Sequence, residues 1–286
     1  MRILLTGRNG QVGWELERTL APLGEVIATE RSTLDLGDPN AIRRVVRELR
    51  PEVIVNAGAY TAVDKAESEP ALAMQVNGVA PGVLAEEVKR LGALLVHYSS
   101  DYVFDGRKPS PYVESDPPNP LNVYGKSKLR GEEAIRTSGC RHLILRTSWV
   151  YSARGKNFLL AILRKARDSQ ELRVVADQVG APTSAGLVAR ATLAAVTRAI
   201  PAPELTGLYH ITARGETSWH GFAQAIVSGL GVPGAVIPIE SSAFPSVAAR
   251  PRYSVLDIAK FVRTFDFEPP AWTADLSQVL QQVTPL

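Results

Sequence analysis

The sequence predicts an α/β protein, a doubly wound parallel sheet followed by a smaller C-terminal lobe. Short apolar runs alternate with helical patterns through residue 151, which is typical of a parallel sheet. A glycine-rich turn at 7–13 separates the first strand from the first helix. Polar residues directly follow the later strands, at the end of an open α/β sheet where ligands bind. Together these observations indicate the Rossmann type of fold.

The strands and helices are assigned in chain order from apolar runs and the helical period. Up to residue 151 we predict strands at 3–6, 25–29, 53–55, 93–98 and 142–146, and helices at 11–20, 40–49, 70–91 and around Tyr124. Further along we predict helices at 157–166, 184–200, 218–229 and 272–283, and strands at 172–176 and 207–212. Asn77, on an apolar face of the helix at 70–91, could kink that helix and hold a water, or could bind a neighbouring backbone group.

These elements suggest two parts. We expect residues 1–151 to form a dinucleotide-binding domain, with 172–212 packing back on it. The pattern is less regular after residue 151, so we expect 152–171 and 213–286 to form a small substrate-binding lobe.

Composition narrows the class of protein. The chain has 286 residues, 45% hydrophobic and 21% charged, as in ordinary globular proteins. Its net charge of +3 is small and its charges are interspersed, so we expect no nucleic-acid partner. No stretch approaches 18 apolar residues, so we expect no membrane span. Cys140 is the sole cysteine and cannot form a disulfide within the chain, which leads us to expect a cytoplasmic protein.

The glycine-rich turn predicts a dinucleotide site. Gly7, Gly10 and Gly13 allow a tight turn and close backbone approach, and the helix that follows offers free N–H groups to a pyrophosphate. Glu30 and Arg31 end the second strand, where an acid binds ribose hydroxyls and a base accommodates a 2′-phosphate, so NADH and NADPH both stay open. Asp35 could bond the adenine amino group or cap a helix, and we favour the first.

Tyr124 and Lys128 lie four residues apart on a predicted helix, and therefore on one face. A nearby ammonium favours the phenolate, so we expect Lys128 to lower the pKa of Tyr124 toward neutrality and make it a useful proton donor. The spacing alone also suits an ordinary amphipathic helix with a lysine that reaches the surface.

Taken together, these motifs resemble those of the extended short-chain dehydrogenase/reductases, and more closely those of the dTDP-4-dehydrorhamnose reductase family. The similar segments span most of the chain, at 7–14, 56–69, 98–104, 121–125, 146–151 and 177–183, with 209–210 and 250–251. The resemblance implies reduction of the C4 ketone of dTDP-4-dehydro-L-rhamnose by NADPH or NADH. It also implies a dTDP-linked keto-deoxysugar substrate, and we expect a monomer or homodimer.

The resemblance assigns roles residue by residue. Tyr124 would donate a proton to the ketone oxygen, Lys128 would bind the nicotinamide ribose, and Ser100 would bond the substrate oxygen. The predicted substrate-binding residues are Ser100, Asp101, Tyr102 and Trp149. The predicted cofactor-binding residues are Gly7, Gly10, Gln11, Val12, Glu30, Asp35, Leu36, Ala59, Tyr60, Thr61, Tyr98, Tyr124 and Lys128. Some relatives have acids suited to a metal in the helix after Pro182, but this chain has Gly186 and Arg190 there, so we expect no metal.

Two alternatives stay open. A nucleotide-sugar epimerase or dehydratase of the same superfamily is the nearest, although dehydratases usually have Asp-Glu where this chain has Asp101 and Tyr102. The other alternative is a non-catalytic, NADP-binding regulatory subunit, which the presence of Tyr124, Lys128 and Trp149 disfavours.

Overall fold

A six-stranded parallel sheet forms the centre of the computed structural model, in the order β2-β1-β3-β4-β5-β10. These strands are β1 (Arg2–Thr6), β2 (Glu25–Thr29), β3 (Val53–Asn56), β4 (Leu94–Ser100), β5 (Arg141–Thr147) and β10 (Gly207–His210). The structure describes residues 1–168, 171–231 and 235–283. From β1 the chain first goes to the edge strand β2 and then crosses back to β3, so the strand order reverses beside β1. This doubly wound sheet confirms the predicted fold class.

The helices connect these strands and cover the sheet. They are α1 (Gln11–Thr19), α2 (Pro39–Leu49), α3 (Val63–Ala66), α4 (Pro70–Met74), α5 (Ala80–Leu91), α6 (Val123–Ser138), α7 (Phe158–Asp168), α8 (Ala185–Ala199), α9 (Trp219–Gly229), α10 (Ala259–Phe265) and α11 (Trp272–Leu280). The shorter strands are β6 (Val150–Tyr151), β7 (Glu171–Val175), β8 (Val179–Gly180), β9 (Thr183–Ser184), β11 (Thr217–Ser218) and β12 (Ala235–Ile239). Among the described residues, no helix has the length and apolar character needed to cross a membrane.

The alternation of side chains along each strand divides the core into two layers. Leu5, Val55 and Val96 pack with α1, α8 and α10 on one face, whereas Leu4 and Ile54 pack with α2, α5 and α6 on the other. Because both faces are covered, the strands are apolar throughout, and this is why the apolar runs marked them in the sequence.

A third apolar cluster forms a smaller core around α7, α9, α11 and β7. The predicted division into two parts stays a proposal. In it, 1–151 and 172–212 form the dinucleotide-binding domain, and 152–171 and 213–286 form the substrate-binding lobe. Two elements pack against the other part than this division predicts. Strand β7, predicted to pack with the first domain, belongs to the smaller core, and α10, predicted in the lobe, packs on the main sheet. Residues 169–170, 232–234 and 284–286 of the predicted lobe lie outside the described residues.

The predicted helix at 70–91 is interrupted by a π-helical turn, Gln75–Val79, between α4 and α5. Asn77 lies in this turn, where its side chain accepts a hydrogen bond from Tyr60 N and donates to Tyr60 O, both at 2.9 Å. It also donates to Ser127 Oγ on α6 at 3.0 Å. Asn77 therefore binds a neighbouring backbone group, which is one of the two roles predicted for it from the sequence. Strand β12 and helix α10 were not predicted.

A buried ion pair fastens α6 to the sheet. Arg146 on β5 donates to Glu132 on α6 through Nη2 at 2.6 Å and through Nε at 2.8 Å, and each side chain is 1% exposed. Arg146 Nη1 also lies 3.4 Å from His210 Nε2 on β10. A bidentate pair of this kind fixes both the position and the rotation of the helix that carries Tyr124 and Lys128.

We predict that Glu132→Ala lowers the free energy of unfolding by about 3–5 kcal/mol, because it leaves the Arg146 charge buried and unpaired. The midpoint of urea unfolding measures this loss. The matched control is Glu133→Ala, one position along the same helix, because Glu133 is exposed and pairs with Arg130 at 3.6 Å. That exposed pair is worth below about 1 kcal/mol. Equal effects of the two variants would contradict the prediction.

Candidate active site

A cleft of about 900 Å³ opens along the carboxyl ends of the parallel strands. Its walls come from the turns after β1 to β5, from the first turns of α6 and from the start of α9. It lies at the point where the strand order reverses, which is where doubly wound sheets bind nucleotides. The position of the cleft therefore follows from the topology of the sheet.

The glycine-rich turn leaves room for a ligand at one end of this cleft. Gly7 has φ +75°, and a Cβ there would lie 2.6 Å from Gly58 N in the turn after β3. Thr6 Oγ1 accepts a hydrogen bond from Gly58 N at 3.1 Å and donates to Asn56 Oδ1 at 2.7 Å, which holds the two turns together. The N-cap residue of α1 is Gly10, which provides no side-chain cap, so the first N–H groups of the helix are open to a pyrophosphate. The geometry fits a dinucleotide.

Two charged residues follow β2: Glu30, whose carboxylate is held by hydrogen bonds, and Arg31, which is exposed. The Glu30 carboxylate accepts hydrogen bonds from Ser32 Oγ at 2.7 Å and from Asn9 Nδ2. These two bonds hold the pKa of Glu30 below its ordinary value, so it is an anion at neutral pH. Arg31 is 79% exposed and pairs with Asp35 at 3.5 Å. The cap of α2 is Asp38 rather than Asp35, so the capping interpretation of Asp35 was wrong, and its contact with adenine stays a prediction.

Tyr124 and Ser100 meet deeper in the cleft. Ser100 ends β4 and Tyr124 lies in the first turn of α6, so the two hydroxyl groups come from different layers of the fold. Helix α6 can approach this closely because Gly125 has no side chain, and a Cβ there would lie 2.1 Å from Tyr102 O. Burial raises the pKa of Tyr124 to about 12, while the nearby Ser100 hydroxyl lowers the pKa and the Asp101 charge raises it. The prediction that Lys128 brings the pKa of Tyr124 toward neutrality was therefore wrong, because burial dominates.

Lys128 lies one turn further along α6 and is 3% exposed. Burial lowers the pKa of Lys128 to about 8, and the charge of Glu132 opposes that shift. Below it on β4, His97 is also buried, and its Nδ1 accepts from Asn56 Nδ2 at 3.0 Å. Burial and the Lys128 charge hold the pKa of His97 well below its ordinary value. A neutral imidazole thus lies behind the wall of the cleft, near a lysine that is mostly protonated at neutral pH.

Two tryptophans form the wall at the other end of the cleft. Trp149, after β5, has φ +47°, a left-handed conformation that costs free energy for a bulky residue. Its indole stacks on that of Trp219 at the start of α9, with centroids 3.5 Å apart and planes 6° apart. The pair offers a flat apolar surface of the kind that packs against a sugar or a base.

Comparison with known proteins identifies the family. Residues 1–284 match the family described as the RmlD substrate binding domain. The chain is 52% identical over 284 residues to dTDP-4-dehydrorhamnose reductase of Burkholderia thailandensis, covering 95% of each chain. It is 45% identical to the Salmonella typhimurium reductase over 99% of this chain and 98% of the other. The chain belongs to the dTDP-4-dehydrorhamnose reductase family.

Solved structures agree with the family match. The chain is similar to dTDP-4-dehydrorhamnose reductase from Bacillus anthracis in complex with NADP, with a TM-score of 0.92 and 34% identity over 98% of this chain and 99% of that one. It is also similar to the Clostridium acetobutylicum orthologue, with a TM-score of 0.93 and 36% identity over 99% of each chain. A UDP-glucose 4-epimerase from Thermus thermophilus, 21% identical, shares the fold.

In this dTDP-4-dehydrorhamnose reductase family member, the predicted site residues other than Tyr102 all lie in the walls of the cleft. Their individual roles stay predictions. Tyr102 packs edge-on against Tyr124, with ring centroids 6.0 Å apart, and the Arg250 charge acts on its hydroxyl. Within the described residues, no three His, Cys, Asp or Glu side chains come together as a metal site. Arg190, at the position considered for a metal, lies 3.9 Å from Asp275.

Three residues near the site carried no functional prediction. Trp219 is one of four tryptophans, and nothing in its local pattern separates it from a core residue. Arg250 pairs with Asp64 at 2.8 Å, and Ser254 donates to Asp101. The resemblance included Arg250-Pro251, which could have drawn attention to this segment. Ser254 has no sequence signal, because its partner is 153 residues away.

Proposed function

We propose that this chain reduces the C4 ketone of dTDP-4-dehydro-L-rhamnose to dTDP-L-rhamnose with NADPH or NADH, as the final step of dTDP-L-rhamnose synthesis. The observation that carries the proposal is the presence of Ser100, Tyr124 and Lys128 together in the walls of a nucleotide-type cleft. The family membership and the relatives named dTDP-4-dehydrorhamnose reductase support it. A cytoplasmic monomer or homodimer acting on a dTDP-linked sugar belongs to the same proposal.

The residues of the cleft suit a nicotinamide dinucleotide. The open N-terminus of α1 and Gly10, Gln11 and Val12 would hold its pyrophosphate, and Glu30 would meet the adenosine ribose. Ala59, Tyr60 and Thr61, in the turn after β3, would line the middle of the cofactor site. When bound, the reduced nicotinamide supplies the hydride for C4.

The protein supplies the proton. Because burial raises the pKa of Tyr124 to about 12, the phenol keeps its proton throughout the physiological pH range. A proton donor in a reduction needs that state, and it gives the proton up only as the ketone oxygen becomes negative in the transition state. Ser100 lines the same cleft and would help to orient the same oxygen.

Lys128 would stabilise the phenolate that Tyr124 becomes. With its pKa near about 8, Lys128 is mostly protonated at pH 7, and burial strengthens the effect of its charge. Glu132 supports the charged form of Lys128, while the Arg146 pair holds Glu132 in place. The Trp149–Trp219 surface would contact the apolar side of the substrate, which orients the ketone toward Tyr124.

We predict that Tyr124→Phe lowers kcat by at least about 100-fold, because positioned general acids contribute on the order of 10²–10⁴-fold. Steady-state NAD(P)H oxidation with dTDP-4-dehydro-L-rhamnose measures the loss. Cofactor affinity, followed by fluorescence titration, stays close to that of the native chain because the ring remains. The matched control is Tyr253→Phe, which removes a hydroxyl that bonds Glu216 instead. Full activity of Tyr124→Phe would contradict the assignment of Tyr124 as the proton donor.

We predict that Glu30→Gln raises the affinity for NADPH relative to NADH by roughly threefold to tenfold, because it removes a negative charge near the 2′-phosphate. Fluorescence titration with each cofactor, without substrate, gives the ratio. Glu25→Gln makes the same change at the other end of β2, where the carboxylate pairs with Arg2, and serves as the control. An unchanged ratio of NADPH to NADH affinity in Glu30→Gln would mean that the adenosine ribose does not lie against Glu30.

A further inference from the structure

The loop after β6, residues 152–157, lies against the glycine-rich turn. Asn157 Nδ2 donates to Gln11 Oε1 at 2.9 Å, and Ser152 Oγ lies at the same distance from that oxygen. Gln11 is the first residue of α1. Asn157 also caps α7, since its Oδ1 accepts from Leu160 N at 3.1 Å. One loop therefore ties α1, which packs on the main sheet, to α7 of the smaller core.

This loop brings Lys156 to the edge of the cleft, beside the start of α1. Lys156 and Gly155 both line the cleft. Gly155 lies against Gln11, because a Cβ on this glycine would be 3.6 Å from Gln11 Cγ. The Arg154 guanidinium lies over the ring of Trp14 in α1, 4.3 Å from the centroid. The neighbours of Lys156 thus contact the start of α1, where the N–H groups are open to a pyrophosphate.

The cationic side chains in the walls of the cleft differ in whether they already have a partner. They are Arg31, Lys65, Lys128 and Lys156. Arg31 pairs with Asp35 at 3.5 Å. Lys65 pairs with Glu69 at 2.7 Å. Lys156 is exposed, and its ammonium has no ion pair or hydrogen bond with any residue at 1–168, 171–231 or 235–283.

We propose that Lys156 binds the pyrophosphate of the nicotinamide dinucleotide, together with the open N–H groups of α1. The inference rests on the proposed function, which assigns the pyrophosphate to this end of the cleft. The pyrophosphate is an anion, and Lys128, the other cleft lysine without a carboxylate partner in the wall, is buried beside Tyr124. The ammonium of Lys156 has three donors on a flexible stem, so it can reach a phosphate from the edge of the cleft.

The dTDP-linked substrate also contains a diphosphate, and the same loop leads toward the proposed substrate end of the cleft. Phe158, two residues after Lys156, has its ring centroid 4.6 Å from that of Trp219. The contact of Gly155 with Gln11 favours the cofactor, because Gln11 begins the helix whose N–H groups are open. The experiment therefore measures both diphosphates.

The test is the affinity of Lys156→Gln for NADH, NADPH and dTDP, each titrated without the keto sugar. Fluorescence gives the Kd of the two cofactors, and calorimetry gives the Kd of dTDP. We expect the Kd of NADH and that of NADPH to rise by the same factor, roughly threefold to tenfold, because the two cofactors share the pyrophosphate. The Kd of dTDP should stay unchanged.

Two further variants and the salt dependence isolate the charge. Lys156→Arg keeps a cation and should keep most of the affinity for NADH. The matched control is Lys165→Gln, because Lys165 is an exposed lysine of α7 that lies outside the walls of the cleft. Since salt screens exposed charges, added salt should weaken NADH binding more in the native chain than in Lys156→Gln.

An unchanged Kd of NADH in Lys156→Gln would overturn the proposal. Weaker binding of NADPH alone would also overturn it, because the lysine would then serve the 2′-phosphate, and weaker binding of dTDP alone would assign the lysine to the substrate. These titrations do not depend on turnover. If the native chain bound NADH but failed to reduce the keto sugar, the proposed function would fall, while the titrations would still decide the role of Lys156.

Discussion

The ion pair between Arg146 and Glu132 is the contact on which the site depends. It seats α6 on β5 with both charges buried, and the same helix carries Tyr124 and Lys128. Because a bidentate pair tolerates little sliding or rotation, it sets the distance from the Tyr124 hydroxyl to Ser100 on the neighbouring strand. Glu132 also helps keep Lys128 charged against the cost of burial. A single structural contact thus supports both the geometry and the electrostatics of the proposed proton donation.

Other parts of the chain fix the remaining freedom of α6. Asn122 caps its first turn by accepting from Gly125 N at 2.8 Å, and Glu67 accepts from Val123 N at the same distance. The π-helical turn is bound to the helix through Asn77 and Ser127. Ala249 adds a contact from the C-terminal part of the chain, because its carbonyl accepts from Asn122. Helix α6 is therefore held from the sheet, from the preceding helices and from the C-terminal part of the chain, which is the preorganisation that the proposed proton donor needs.

The sequence was sufficient for the sheet, because both of its faces are covered and its strands are continuous apolar runs. It also placed Ser100 and Trp149 at one end of that sheet, since carboxyl ends of parallel strands share an edge. What it could not show depends on contacts distant along the chain: Trp219 against Trp149, Arg250 with Asp64, and Ser254 on Asp101. The predicted direction of the Tyr124 pKa was wrong for a similar reason, because burial is a property of the folded cleft. Strand β12 was missed because it lies in a proline- and glycine-rich stretch whose local pattern suggests a loop.

The central claim is that this chain delivers hydride to C4 of the keto sugar and a proton to its oxygen. The most direct test supplies purified protein with dTDP-4-dehydro-L-rhamnose and NADPH or NADH deuterated at the transferable position, and then examines the product by proton NMR. Our account predicts one equivalent of cofactor oxidised per sugar and deuterium at C4 of dTDP-L-rhamnose. An epimerised sugar without net oxidation of the cofactor, or a product without deuterium at C4, would contradict it.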